Sequence, residues 1–320
     1  MMTAARRARP RHLRSVPDMT SSASAAVRTG PAPMPRLGTG PLGITLRIIV
    51  AVGVLAVANV VAGILPASLV LIPGALDLLS GSSPWAFAAA FILQSLVLII
   101  VVLLVWAWMR WVERRSIRDA GWRWGRQSIL WLLLGVAVAA ASLIVVTAML
   151  PAVGSVPASP AMFGEPGAAP LTVALLILHY IGLAFLQQSI PEELLFRGWL
   201  LWRLRHRPVV AVVVTTLAFT VIHLVSSGGQ QSAWEHVLYL ALPFGFAVLA
   251  TGMLLWTGSL WAAVGVHGGF HIGNYIAASV LAPVDSATSW LAVGGVQATI
   301  GLVLVATALR RGKTILDARD

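Results

Sequence analysis

Residues 189–201 read SIPEELLFRGWLL. Apolar runs flank the stretch on both sides, so it falls where a membrane span belongs, yet it carries Glu192, Glu193 and Arg197. Ionisable groups are costly in hydrocarbon, and where they occur they face a protein interior or a water-filled cavity. The stretch therefore sets the fold: a bundle of membrane helices with something polar enclosed at its centre.

The rest of the chain agrees. Of 320 residues, 58% are hydrophobic and 10% charged, where a soluble domain carries about 25%; the mean hydropathy is +0.87. A span needs roughly 20 apolar residues, and eight segments qualify: about 44–65, 84–109, 128–150, 171–196, 208–226, 235–256, 259–281 and 288–309. The expected fold class is all-α, a polytopic bundle of about eight transmembrane helices around an intramembrane chamber. Residues 1–41, rich in Ala, Arg, Pro, Ser and Thr, read as a disordered basic cytoplasmic tail. Residues 42–170 hold the N-terminal membrane helices, 171–281 hold the polar centre, and 282–320 hold the last helix and a second cytoplasmic tail.

Charge gives the orientation. With the N-terminus placed in the cytoplasm, the inner segments carry Arg114, Arg115, Arg118, Arg123 and Arg126, then Arg203, Arg205 and Arg207, then Arg310, Arg311 and Lys313. The outer loops, about 66–83, 151–170, 227–234 and 282–287, hold no Lys or Arg and include Asp77, Glu165 and Asp285. This positive-inside pattern puts both termini in the cytoplasm and the protein in a cell membrane. It also accounts for the net charge of +11 without nucleic acid; the expected contacts are membrane lipid and a peptide or protein. Lys313 is the single lysine among 22 basic residues, which reads as codon bias in a GC-rich bacterium. No cysteine is present, which excludes disulfides and thiol chemistry. Trp106, Trp108, Trp111, Trp122, Trp124, Trp199, Trp202, Trp256 and Trp261 fall near inner ends, and Trp85, Trp234 and Trp290 near outer ends, as interfacial belts require. Segment 114–126 is expected to lie along the inner surface.

Few ionisable groups remain at depth: His179, Glu192, Glu193, Arg197, His223, His267 and His271. At about 1.5 Å per residue, Glu192, His223, His267 and His271 lie roughly 12–22 Å above the inner ends of their helices. Three helices carrying polar groups to one level imply one shared site. Glu193 and Arg197 are i and i+4 with the acid first, the better orientation for a pair. Glu192 then stands about 100° round the helix without an intrahelical partner, as a general base or a metal ligand would. Pro191 reads as a kink or a first helical residue. Phe219 and His223 share a face. His267 and His271 share another, at a metal-chelating spacing, while Gly265, Gly269 and Gly273 line the opposite side for close helix approach. Asn274 extends the histidine stripe, and His179 reads as structural.

At these residues the chain resembles a known family. EELLFRG, FTVIH and GSLWAAVGVHGGFH are similar, in order and spacing, to the three motifs of the CPBP intramembrane proteases, the CAAX prenyl endopeptidase and bacteriocin-processing or ABI family. The resemblance covers about 171–280 and makes 171–281 the catalytic core. It implies an intramembrane endopeptidase in which Glu192 activates water, Glu193 and Arg197 support it, His223 helps hold the water, and His267 and His271 stabilise the oxyanion. His271 stands where the family pattern has Asn or Asp. Histidine is the better metal ligand, so Glu192, His223, His267 and His271 together could hold Zn²⁺; a metal-free Glu/His site is the other option, and both stay open. The alternative class is a non-catalytic immunity or scaffold protein that binds through the same chamber.

Overall fold

The structure, a computed structural model, describes residues 37–38, 40–69, 71, 74, 83–150, 169–281 and 283–313. The expected N-terminal tail, the acidic outer positions Asp77 and Glu165, and the chain's last residues lie outside them.

Among the described residues every long element is a helix. We number them α1 (Pro41–Leu69), α2 (Pro84–Glu113), α3 (Arg126–Met149), α4 (Pro170–Arg203), α5 (Pro208–Val225), α6 (Ala233–Thr257), α7 (Leu260–Val280) and α8 (Ala287–Arg310). Seven are long and apolar enough to cross a membrane. The eighth, α7, has 21 residues. Its glycines, histidines and asparagine lower its hydropathy, and protein surrounds it on most sides, with Leu260 through Phe270 buried.

Start signals follow elementary rules. Ser83, Ser259 and Ser286 cap α2, α7 and α8 through their side chains, and Pro84, Pro170 and Pro208 occupy first-turn positions where a missing N–H costs nothing.

Small residues set which helices touch. A Cβ added to Gly269 would lie 2.6 Å from the Val136 backbone, one on Gly273 2.9 Å from Ala140 Cα, and one on Gly265 would strike the Leu132 carbonyl. The glycine face expected on 259–281 is therefore the α3–α7 seam, answered from α3 by Gly135, which sits against the Ala262 carbonyl. A second seam joins α6 to α8 through Gly245 against Gly294 and Gly252 against Gly301. Between membrane helices the attraction is packing, and small residues let the backbones approach. Gly265→Val is expected to destabilise the bundle by about 1–3 kcal/mol or more, read as a lower unfolding midpoint in detergent; an unchanged midpoint would refute the seam.

The helix carrying the opening stretch runs unbroken from Pro170 to Arg203 but is not regularly wound. Gly182–Ser189 and Leu194–Leu200 are π-helical, with one α-turn, Ile190–Glu193, between them. Pro191 is thus neither the first helical residue nor a sharp break. Its missing N–H and its ring are accommodated by the widened turns, a common cause of π-bulges at functional sites.

Three of the belt tryptophans are covered by protein. Trp199 and Trp290 are 1% exposed and Trp261 is 7% exposed, because their indole N–H groups find acceptors inside: Glu113, the Val284 carbonyl and the Arg123 carbonyl respectively. Trp85, Trp106, Trp111, Trp124 and Trp234 remain exposed.

Candidate active site

Helices α4, α5 and α7 bring Glu192, Glu193, Arg197, His223, His267 and His271 together. Glu193 Oε1 accepts hydrogen bonds from Arg197 Nη1 at 3.0 Å and from His267 Nδ1 at 3.0 Å, and the three side chains are almost wholly buried. The expected i, i+4 pair is present, and it reaches one helix further than the spacing showed. Glu193 both balances Arg197 and orients the His267 ring. The other face of the guanidinium lies over Phe219, 4.2 Å from the ring centre, a favourable place for a cation with little water.

Glu192 points elsewhere. Its Oε2 lies 4.0 Å from His223 Nε2 and is buried without a hydrogen-bond partner among the described residues. Both side chains stay partly accessible, at 16% and 14%. His223 marks the end of the regular part of α5. Its backbone N–H turns back to the Thr220 carbonyl, tightening the last turn, so the Phe219 carbonyl is released and meets His223 Nδ1 at 2.8 Å. A carbonyl only accepts, so Nδ1 carries the hydrogen and, in the neutral ring, Nε2 presents a lone pair. Glu192, when ionised, also only accepts. Two acceptors 4.0 Å apart suit one water donating a hydrogen to each. With hydrogen bonds of about 2.8 Å, the angle at that oxygen is about 90°, near water's own.

His271 stacks on His267, ring centres 5.2 Å apart. Among the described residues its Nε2 is buried without a partner, as is Asn274 Oδ1 beyond it on the same helix. A neutral imidazole with a hydrogen on Nε2 could donate it to an incoming oxygen. Phe219, Phe246 and Phe270 wall the histidines: Phe246 lies 4.7 Å from His267 and 4.9 Å from Phe270, and Phe219 5.7 Å from His267.

Among the described residues no group of three or more His, Asp or Glu is arranged to hold an ion, and His267 commits Nδ1 to Glu193. A catalytic zinc takes three protein ligands, and Glu192 with His223 supplies two.

Two features escaped sequence reasoning. Phe246 and Phe270 sit in apolar helices that mark no one phenylalanine out. The other is a second buried charge centre. Glu113, at the end of α2, receives Arg47 Nε at 2.6 Å and Arg47 Nη2 at 3.0 Å. It also receives the indoles of Trp108 and Trp199 at 3.2 and 3.3 Å, and lies 3.3 Å from Arg203. Arg47 further donates to the carbonyls of Leu37, Gly38 and Gly43. The signal was there: Arg47 interrupts the first apolar run, and Glu113 is the lone acid in RWVERR. His179, by contrast, has the structural place expected of it, its Nδ1 accepting from Gln94 Nε2 at 3.0 Å.

Fold and site together define a polytopic helical membrane protein with glutamates and histidines enclosed among its helices. Residues 173–273 match the family model for Type II CAAX prenyl endopeptidase Rce1-like proteins, so the resemblance read from the three motifs holds over the segment that contains all of them. No curated protein and no solved structure matches the chain. At family level, the match supports CAAX-type intramembrane endopeptidase activity.

Proposed function

We propose that the protein is an intramembrane endopeptidase that hydrolyses a peptide bond of a membrane-associated peptide or protein with a water held between Glu192 and His223. The observation that carries this reading is the pair of acceptors 4.0 Å apart, with the His223 tautomer set by the Phe219 carbonyl. A water that gives both hydrogens to these acceptors keeps its oxygen lone pairs for attack. Glu192 takes one proton as the oxygen bonds to the peptide carbonyl carbon, and the carbonyl electrons move onto its oxygen. His271 Nε2–H and His267 Nε2–H stabilise that oxyanion. His267 donates there when the proton it shares with Glu193 leaves Nε2 protonated, either as an imidazolium beside a carboxylate or as a neutral ring beside a carboxylic acid. As the tetrahedral centre collapses, the C–N bond breaks and the amine leaves with the proton that Glu192 took. The products are a carboxylic acid, which keeps the second proton of the water until solvent takes it, and an amine, and Glu192 is returned ionised.

The substrate enters from the side of the basic loops, which the charge pattern makes cytoplasmic, in the cell membrane of a bacterium. Nothing in the chamber requires a prenyl group. With two donors at the water and no third alongside, turnover of a reconstituted reporter peptide is expected to survive dialysis against EDTA, with well under one zinc per chain by elemental analysis. Stoichiometric zinc whose removal stops turnover would replace the glutamate–histidine water by a metal-bound one. A folded wild type that binds the peptide and never cuts it would move the chain to the immunity or scaffold class.

A further inference from the structure

A second recess lies away from the catalytic residues, in the connection between α2 and α3. Residues Ile117–Ala120 form a single 3-10 turn, and Gly121, at φ +80°, reverses the chain. Arg123–Gly125 then lead into α3. This connection borders an open recess of about 820 Å³ lined by Ser116, Ile117, Arg118, Trp122, Arg123, Trp124 and Trp261.

Its chemistry is one-sided. No carboxylate lines it. Among the described residues the guanidinium of Arg118 has no protein acceptor, and Arg123 uses only Nε, on the Arg118 carbonyl at 3.2 Å. Among the same residues the indole N–H groups of Trp122 and Trp124 have no acceptor either. Segment 114–126 as a whole carries five arginines against Asp119. The three indoles are held in place by one another, with Trp122 5.6 Å and Trp124 4.4 Å from Trp261. Cations and indole donors framed by amphipathic rings, at the level where spans end, suit a group that is anionic at one end and greasy at the other.

We propose that this recess binds the phosphate headgroup of an anionic phospholipid. Arg118 and Arg123 would take the phosphate, and the rings of Trp122, Trp124 and Trp261 the glycerol and first methylenes. The loop is fastened to the catalytic helices at two points. The Trp261 indole, at the start of α7, donates to the Arg123 carbonyl. A Cβ added to Gly198, on α4, would lie 2.6 Å from the Ala120 carbonyl. Lipid held here therefore bears on α4 and α7, two of the three helices that carry the site.

The test needs no proteolysis, so it stands or falls separately from the proposed reaction. Delipidated full-length protein in mild detergent is titrated with phosphatidylglycerol or phosphatidylcholine, and bound lipid is counted by native mass spectrometry. Wild type is expected to retain one phosphatidylglycerol in preference to phosphatidylcholine. Arg118→Gln/Arg123→Gln is expected to bind it about thirtyfold more weakly, with an unfolding midpoint near wild type in the absence of lipid. Arg207→Gln/Arg310→Gln removes the same charge elsewhere and is expected to leave binding unchanged. Equal retention of the two lipids, equal binding by the first variant, or equal loss in the second would overturn the proposal. So would full displacement by millimolar inorganic phosphate, which would make this a soluble-anion site.

Discussion

Glu192→Gln is expected to lower peptide turnover by about 10²–10⁴-fold, the usual contribution of a general base, while the protein stays folded. The amide keeps the shape of the side chain and cannot take a proton from water. Structure should tolerate the change, because Glu192 Oε2 has no hydrogen-bond partner among the described residues and meets His223 only at 4.0 Å. The two glutamates can be told apart in this way. Glu193→Gln weakens the contacts with Arg197 and His267 and is expected to lower the unfolding midpoint as well as turnover. A reporter peptide in proteoliposomes, read by mass spectrometry beside a thermal melt, separates the two. Wild-type turnover by the Glu192 variant would refute the assignment of the base.

The largest effect on stability is expected far from that carboxylate. Glu113→Ala leaves Arg47 buried with no counter-ion, and Arg203, 11% exposed, without its nearest one. Removing one partner of a buried pair typically costs about 3–5 kcal/mol. It also frees the indoles of Trp108 and Trp199. Trp199 and Arg203 belong to α4, so the loss loosens the helix that carries Glu192. Replacing both charges, as Arg47→Met with Glu113→Leu, should recover much of the loss, because a buried pair exchanged for apolar groups of similar volume is often neutral. Denaturant melts in detergent measure both. A single variant as stable as wild type would show that the cluster holds nothing in place.

That cluster also marks the limit of what the sequence made legible. The spans were readable because each is an apolar run bounded by arginines or by turn residues. The convergence of Glu192, His223, His267 and His271 was readable because charged groups at depth have few places to go. The Glu193–Arg197 pair followed from helical spacing alone. Arg47 and Glu113 were missed because both sit at the margins of apolar runs, where a charge usually means a loop. Only tertiary packing, 66 positions apart in sequence, turns that margin into an interior. The π-turns of α4 were hidden for a different reason. Winding is decided by Pro191 and by the helices packed around it, and its residues share no local pattern that would announce it. The link from Glu193 to His267 crosses two helices, and no spacing rule reaches that far.

The end of α5 has a meaning beyond its place in the bundle. Were the helix to continue regularly past Ile222, the amide of His223 would claim the Phe219 carbonyl, and the imidazole would lose the partner that assigns its hydrogen. The residues that follow, Ser226, Ser227, Gly228 and Gly229, are poor at extending a helix. Their reluctance to wind thus dictates which ring nitrogen is bare, and a preference of the backbone is converted into the direction in which a proton can move.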